Sequence, residues 1–136
     1  MKRILAITLV VSMLLLISAT ALADTIYFIN FTLENGVNGK QNSGTAKKST
    51  ATGTKFTVGV TSISGATSAG PMVCNVYNSS NTKVSKSSGS IYTTGSWARD
   101  YTGTNGADGI KDKYYYLKMQ NTTGGPTIKV TGYLTP

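Results

Sequence analysis

The chain has 136 residues with thirteen lysines and arginines, five acidic residues, one cysteine and no histidine, which gives a net charge of +8. Without histidine, neither a Ser-His-Asp nor a Cys-His catalytic arrangement can be built, and one cysteine cannot supply the thiolates of a zinc cluster. The composition therefore predicts a protein that is not an enzyme and that carries no cofactor and no metal ion.

The start of the chain has the three parts of a signal peptide. Met1-Lys2-Arg3 is positively charged, an apolar run follows from Ile4, and the run ends in the small-x-small triplet Ala21-Leu22-Ala23. This order predicts a helical leader over 1–23 that is cleaved between Ala23 and Asp24, so the product is expected to be secreted and extracellular. The alternative is an uncleaved membrane anchor, because the run is nearly long enough to span a bilayer. No second apolar run follows, and no transmembrane segment is expected once the leader is removed.

The remaining chain, 24–136, is expected to form one domain with a modest two-layer core. Without Lys2 and Arg3, eleven basic residues stand against five acidic ones, which leaves a net charge of +6. That surplus favours salt-sensitive binding of anionic cell-wall polymers or acidic polysaccharides. Dispersed lysines and a nearly complete lack of arginine argue against specific nucleic-acid recognition. Every lysine falls on an outward strand position or in a loop, so an internal lysine–asparagine cross-link, which needs a buried lysine, is not expected.

The first half of the mature chain reads as strands and one long loop. Residues 26–33 are aromatic and branched, as strands prefer. The glycine-, asparagine- and threonine-rich stretch 35–53 is predicted to be a mobile loop with a short edge strand inside it. Residues 55–63 alternate, and Phe56, Val58 and Val60 are expected to face inward.

The middle of the chain predicts three more strands. The first is 71–77, with Met72, Cys74 and Val76 on one face. A turn at 78–81 leads to a short return strand at 82–86, and a fifth strand follows at 91–97.

Apolar and polar residues alternate most clearly in the last part of the chain. A glycine-rich loop at 101–112 precedes a strand at 114–119, with Tyr115, Leu117 and Met119 inward. A turn at 124–126 precedes the closing strand 127–134, whose inward residues are Ile128, Val130, Gly132 and Leu134. Six or seven short strands at this spacing predict an all-β fold, an antiparallel β-sandwich of immunoglobulin-like size.

Three segments carry a family resemblance. With the leader, the strand Tyr27–Leu33, the Tyr-Tyr-Tyr-Leu-Lys strand at 114–118 and the closing Val130–Tyr133 resemble a family of small secreted proteins of Gram-positive bacteria. The resemblance implies a small extracellular β domain and assigns neither an activity nor functional residues.

Cys74 is the chain's one thiol, so it has no intramolecular partner. Its strand-like setting favours a buried small apolar side chain. An intermolecular disulfide or a reactive thiol is the alternative.

Oxygen-bearing side chains gather around the glycine-rich loop. Asp100, Asn105, Asp108 and Asp112 are the type of ligand that calcium prefers. Their spacing does not match the EF-hand loop, and lysines and an arginine lie among them. An ordinary turn with solvated charges is the favoured interpretation, and whether the loop holds an ion stays open.

Aromatic residues supply the candidate ligand-binding patch. Trp97, Arg99 and Tyr101 alternate, so an extended segment places all three on one side. Tyrosines on predicted outward strand faces are added to the patch: Tyr114, Tyr116 and Tyr133. Such rings stack on sugars, and neighbouring lysines attract anions. The alternative is that the rings complete a core poor in aliphatic residues.

The sequence thus predicts a secreted, non-enzymatic protein that binds or assembles at the bacterial cell envelope, on polyanionic or carbohydrate material. A bacteriocin-like antimicrobial protein is one alternative, although no amphipathic cationic helix is present to insert into a membrane. A matrix or fibre subunit that self-associates through exposed strands is the other.

Overall fold

The computed structural model describes residues 24–34, 40–49, 52–86, 89–122 and 126–136, with the backbone only at 40–42. The predicted signal peptide, 1–23, lies outside the described residues, and with it Ala23 of the predicted cleavage site. Parts of the loop at 35–53 and of the turn at 124–126 also lie outside them. In the described part of the chain, no helix has the length and apolar character needed to cross a membrane.

Strands dominate the described residues. Their bounds are β1 Ile26–Leu33, β2 Lys40–Asn42, β3 Ala46–Lys47, β4 Lys55–Ser64, β5 Met72–Asn78, β6 Ser90–Ile91, β7 Gly95–Asp100, β8 Tyr114–Asn121 and β9 Ile128–Thr135. Five predicted strands are found with bounds that differ by at most two residues: 26–33, 55–63, 71–77, 114–119 and 127–134. The predicted strand 91–97 is divided into β6 and β7. The short strands β2, β3 and β6 have two or three residues each.

The strands form two antiparallel sheets, which confirms the predicted all-β sandwich. The first sheet has the order β1-β9-β4-β7. The second has the order β2-β8-β5-β6, and β3 also pairs with β8. Each long strand buries one side against the other sheet, as sandwich strands do.

The core lies between the two inner faces and follows the predicted alternation. Inward residues of β1, β4, β5, β8 and β9 are buried, and they include Phe28, Leu33, Phe56, Val58, Val60, Met72, Cys74, Val76, Tyr115, Leu117, Met119, Ile128, Val130 and Leu134. A fully buried side chain of this size contributes roughly 1.5–3 kcal/mol. Burial of these residues therefore determines which face of each sheet points to solvent.

Two predicted strands near the middle of the chain are wrong in part. The predicted return strand at 82–86 makes only two isolated bridges, Tyr77–Lys83 and Ser85–Tyr101. It links the sheets instead, because the Val84 N–H donates to Val76 and its carbonyl accepts from Thr102. The predicted strand at 91–97 is divided because the chain crosses between sheets there, from β6 beside β5 to β7 beside β4.

The predicted loops contain the short elements. The long loop before β4 holds β2 and β3, in agreement with the expected edge strand, whereas its mobility stays a prediction. The glycine-rich loop after β7 contains a short 3-10 turn at Thr104–Gly106, in which Asn105 adopts a left-handed conformation with φ 54°.

The centre of the first sheet depends on two glycines that aromatic rings cover from opposite sides. On the outer face, Gly59 lies beneath the ring of Tyr133, its direct neighbour on β9. On the inner face, Gly132 lies beneath the ring of Phe28 and close to the carbonyl oxygen of Gly59. The absence of Cβ atoms at both positions lets β4, β9 and the two rings approach closely.

Candidate binding surfaces

The predicted grouping of Trp97, Arg99 and Tyr101 on one side is found, but that side is the inner one. In the β4–β7 ladder, Trp97 lies opposite Val58 and Arg99 opposite Phe56, both of which are buried. Directly opposed residues of an antiparallel pair point to the same face. Trp97 is therefore partly buried against the core, and Arg99 lies at its rim, where its Nη1 donates to the Ala98 carbonyl at 3.1 Å.

Tyr101 is a core residue, so its predicted role in an exposed binding patch is wrong. Its side chain is 0% exposed and its ring contacts Phe56 and Tyr115, each with centroids 5.2 Å away. Burial raises the pKa of its phenol well above the usual value of 10.0. The hydroxyl group of Tyr101 is buried without a hydrogen-bond partner, so it lowers the stability of the folded state.

Lys48 lies in the predicted loop, but it contradicts the expectation that no lysine is buried. Its side chain is 1% exposed, and its Nζ lies 5.1 Å from the centroid of the Tyr101 ring. Burial lowers the pKa of the amine, while the adjacent ring offers a cation–π contact to the charged form. The buried lysine thus completes an aromatic cluster at one end of the sandwich.

Tyr101→Phe should leave the domain as stable as the wild type or raise its free energy of unfolding by up to about 1 kcal/mol, because an unsatisfied hydroxyl is removed without changing the ring. Urea unfolding of both proteins at pH 7 measures this. A loss of more than about 1 kcal/mol would show that the hydroxyl has a partner that matters.

The outward tyrosines of the predicted patch are confirmed as outward but lie on opposite sides of the molecule. Tyr114 and Tyr116 are on the outer face of the second sheet, on β8. Tyr133 is on the outer face of the first sheet, on β9. The six predicted patch residues are therefore divided among the core, its rim and two separate outer faces, and no single surface contains them.

The outer face of the second sheet combines aromatic rings with lysines. We call it the lysine–tyrosine face and define it by Tyr77, Lys83, Tyr114, Tyr116 and Lys118. Tyr77 and Tyr116 are directly opposed on β5 and β8, and their rings stack with centroids 5.9 Å apart and planes 26° apart. The Nζ of Lys118 lies 4.3 Å from the centroid of the Tyr77 ring. This contact positions a charge that would otherwise move freely on a flexible chain.

A side-chain hydrogen bond and a backbone β-bridge position two further residues of this face, Tyr116 and Lys83. The Tyr116 hydroxyl donates to Asn81 Oδ1 at 2.7 Å, which ties the ring stack to the turn after β5. The backbone of Lys83 forms a β-bridge with that of Tyr77, and opposed residues of an antiparallel pair point to the same face. Tyr77 therefore has a lysine on each neighbouring segment, Lys83 and Lys118. The result is a short row of rings and ammonium groups across neighbouring strands.

A shallow groove of about 140 Å³ runs beside this row. Val73, Asn75 and Tyr77 line it from β5, and Lys118 and Gln120 line it from β8. Its polar groups include two carboxamides and one ammonium, which can donate hydrogen bonds to an anion or to sugar hydroxyls.

Carboxylates do little to neutralise the lysine–tyrosine face. Asp112 pairs with Lys47 at 3.1 Å, beside Tyr114 in the β3–β8 ladder. That hydrogen bond and the opposite charge raise the pKa of Lys47. Among the described residues this is the one salt bridge found, so Lys83 and Lys118 keep their charge available to a ligand.

The acidic residues of the glycine-rich loop have protein partners. Asp108 accepts a hydrogen bond from the Thr102 hydroxyl, and Asp112 is bound by Lys47. In the portion of the chain that the structure describes, no three His, Cys, Asp or Glu side chains lie close enough together to hold a metal ion.

Cys74 is buried, as its strand setting predicts. It is 3% exposed, and burial raises the pKa of its thiol to about 12. Such a thiol is poorly reactive, and an intermolecular disulfide would require β5 to leave the core.

The predicted patch missed the two lysines of the lysine–tyrosine face and two tyrosines, Tyr77 and Tyr27. Tyr77 ends the predicted strand 71–77, where alternation from Met72 already places it outward. Tyr27 is 67% exposed and lies beside Tyr133, with ring centroids 6.1 Å apart. Alternation about the buried Phe28 indicates that Tyr27 points outward, but no sequence pattern shows that it lies beside Tyr133 on the last strand.

No protein-family model matches the chain, and no curated protein matches it. The resemblance to small secreted proteins of Gram-positive bacteria therefore stays a prediction. The geometry of the two outer faces is what indicates a function.

Proposed function

We propose that the leader-free domain is a secreted, non-enzymatic binding module that holds anionic polymers at the bacterial cell exterior through the lysine–tyrosine face. The observation that carries the proposal is Lys118, fixed above the ring of Tyr77 at the edge of a groove. An ordered ammonium loses less conformational freedom when it binds an anion than a free lysine side chain does.

The face offers complementary chemistry to a phosphate- or carboxylate-bearing chain. Lys83 and Lys118 supply charge on either side of Tyr77, and Asn75 and Gln120 supply hydrogen-bond donors in the groove. The net charge of +6 draws polyanions toward the domain from a distance, and this attraction weakens as salt screens it.

The sandwich acts as a rigid support for these side chains. Tyr116 and Lys118 alternate with the buried Tyr115, Leu117 and Met119 along β8. Packing of the inward residues therefore fixes the direction of the outward ones, and binding by contact alone needs no catalytic group.

Lys118→Glu should lower the amount of leader-free protein that sediments with purified cell walls by roughly tenfold at low salt, because the change replaces an attraction with a repulsion. Lys129→Glu is the matched control, since Lys129 is exposed on the outer face of the opposite sheet and its reversal changes the net charge equally. Wild-type sedimentation should fall as sodium chloride is raised.

Equal losses for the two charge reversals would mean that only net charge matters, and the assignment to the lysine–tyrosine face would then be wrong. Retention of the wild type that does not respond to salt would count against anionic polymers as the partner.

A further inference from the structure

We infer that the outer face of the first sheet is a second binding site, and that it takes an uncharged sugar ring. This face lies on the other side of the sandwich from the lysine–tyrosine face. Its centre is a group that we call the tyrosine platform, defined by Tyr27, Gly59, Ser96 and Tyr133. These four residues occupy one row across β1, β9, β4 and β7.

The ring of Tyr133 forms the floor of the platform. A Cβ atom at Gly59 would lie 2.1 Å from Cε1 of that ring and 2.2 Å from its Cζ. The ring therefore lies across the neighbouring strand rather than standing away from the sheet. Its hydroxyl reaches to 3.5 Å from Ser96 Oγ on β7. The ring covers Gly59, and the Tyr133 side chain as a whole is partly exposed.

The ring of Tyr27 forms a side wall. Its centroid is 6.1 Å from that of Tyr133 and the two planes are inclined by 56°. Tyr27 is 67% exposed, so most of its ring is available for contact. A floor and an inclined wall of aromatic rings match the apolar face and one edge of a pyranose ring.

Hydroxyl groups and a lack of charge determine the class of ligand. The next row contains Thr57, Ala98 and Thr135, and the row on the other side contains Ser62 and Thr131. The charged residues of this face, Lys55, Asp100 and Lys129, lie at the ends of the strands in more distant rows. Short hydroxyls can exchange hydrogen bonds with sugar hydroxyls, whereas an anion would find no cation among the described residues of these rows.

A second copy of the chain is a poorer occupant of the same face. Two domains that each carry a net charge of +6 repel one another, and stable interfaces usually have an apolar centre that excludes water. The platform carries no charge that would offset this repulsion, and hydroxyl-bearing residues occupy the rows on both sides of its two rings. With a neutral glycan on one side and an anionic polymer on the other, the domain would link two components of the cell exterior.

Nuclear magnetic resonance titration of the leader-free chain 24–136, which contains every described residue of both sheets, tests this site. The probes are chitohexaose and cellohexaose, which are uncharged. We expect saturable shifts of the amide resonances of Tyr27, Gly59, Ser96 and Tyr133 with at least one probe. The shifts should persist in about 0.5 M sodium chloride, where charge-driven contacts are screened.

Tyr27→Ala should weaken this binding at least tenfold. Tyr92→Ala is the control, because Tyr92 is another exposed tyrosine and lies outside the platform rows. Gly59→Ala should also weaken binding, since a Cβ atom displaces the Tyr133 ring without altering its chemistry; circular dichroism establishes that this variant is folded. The salt-resistant readout keeps this test independent of binding at the lysine–tyrosine face.

Three results would overturn the inference. The first is an absence of shifts at the platform with both glycans. The second is an equal loss of binding in Tyr27→Ala and Tyr92→Ala. The third is a shift of the platform resonances with protein concentration alone, which would mean that a second copy covers the face.

Discussion

Gly132→Ala should destabilise the domain by about 3 kcal/mol or more, toward the upper end of what overpacking costs. A Cβ atom at this position would lie 2.0 Å from the carbonyl oxygen of Gly59 and 2.7 Å from Cζ of Phe28. The carbonyl belongs to the backbone of β4, which pairs with both β7 and β9. It cannot move without disturbing three strands of the first sheet.

Thermal unfolding monitored by circular dichroism measures this effect, and a fall in Tm of roughly 10 °C or more is expected for a domain of this size. Gly44→Ala is the matched control. Its Cβ atom would lie 3.0 Å from the side-chain carbons of Ile26, which can adjust. Equal Tm values for the two variants would show that β4 and β9 are not as closely apposed as the structure has them.

The domain should lose stability steeply between pH 9 and pH 12. Burial raises the pKa of Cys74 from 9.0 to about 12. Between these two pH values the thiol is neutral in the folded state and ionised in the unfolded state. The stability that this preference contributes is complete below pH 9 and is lost as pH rises through the folded pKa. A shift of this size corresponds to about 4 kcal/mol at most.

Other buried groups modify the alkaline loss. Burial also raises the pKa values of Tyr101 and Tyr115, and their contribution begins to disappear above their usual value of 10.0. Lys48 has the opposite sign, because burial lowers its pKa and deprotonation removes the cost of burying its charge. The large pKa shifts are those of Cys74 and Tyr101, and both act toward a loss, so the net change in stability is a loss.

Urea unfolding of the wild type at pH 7, 9 and 10.5 measures this dependence. Cys74→Ala removes the thiol and should reduce the fall between pH 9 and 10.5, although the variant is less stable at every pH because a small cavity remains. A wild-type free energy of unfolding that is the same at pH 7 and pH 10.5 would contradict the burial of these groups.

Period-2 alternation predicts most of the fold because burial on one side selects alternate residues. It fails locally in β1, where Phe28, Phe31 and Leu33 all pack toward the core. Simple alternation cannot place residues 28 and 31 on one side. A bulge at Asn30, with φ 53°, shifts the register, and Thr131 Oγ1 accepts a hydrogen bond from its amide. Asparagine tolerates this conformation, but its presence alone does not locate a bulge.

The candidate site is harder to predict than the fold because alternation groups residues by side without saying which side is inner. Trp97, Arg99 and Tyr101 share a face as predicted. The β4 partners of Trp97 and Arg99 and the complete burial of Tyr101 make that face the inner one. Likewise, Tyr116 and Tyr133 are both outward, but only the assignment of β8 and β9 to different sheets separates them. Lys48 lies in a loop in the sequence and becomes buried through long-range packing on Tyr101.

Mapping of an anionic ligand onto the protein tests the account most directly. The leader-free domain, titrated at low salt with a soluble poly(glycerol phosphate) oligomer, should show saturable amide shifts concentrated at 73–77 and 116–120, on the two strands that carry Tyr77 and Lys118. Shifts spread evenly over the lysines of both sheets, or no saturable shift at all, would contradict binding through the lysine–tyrosine face.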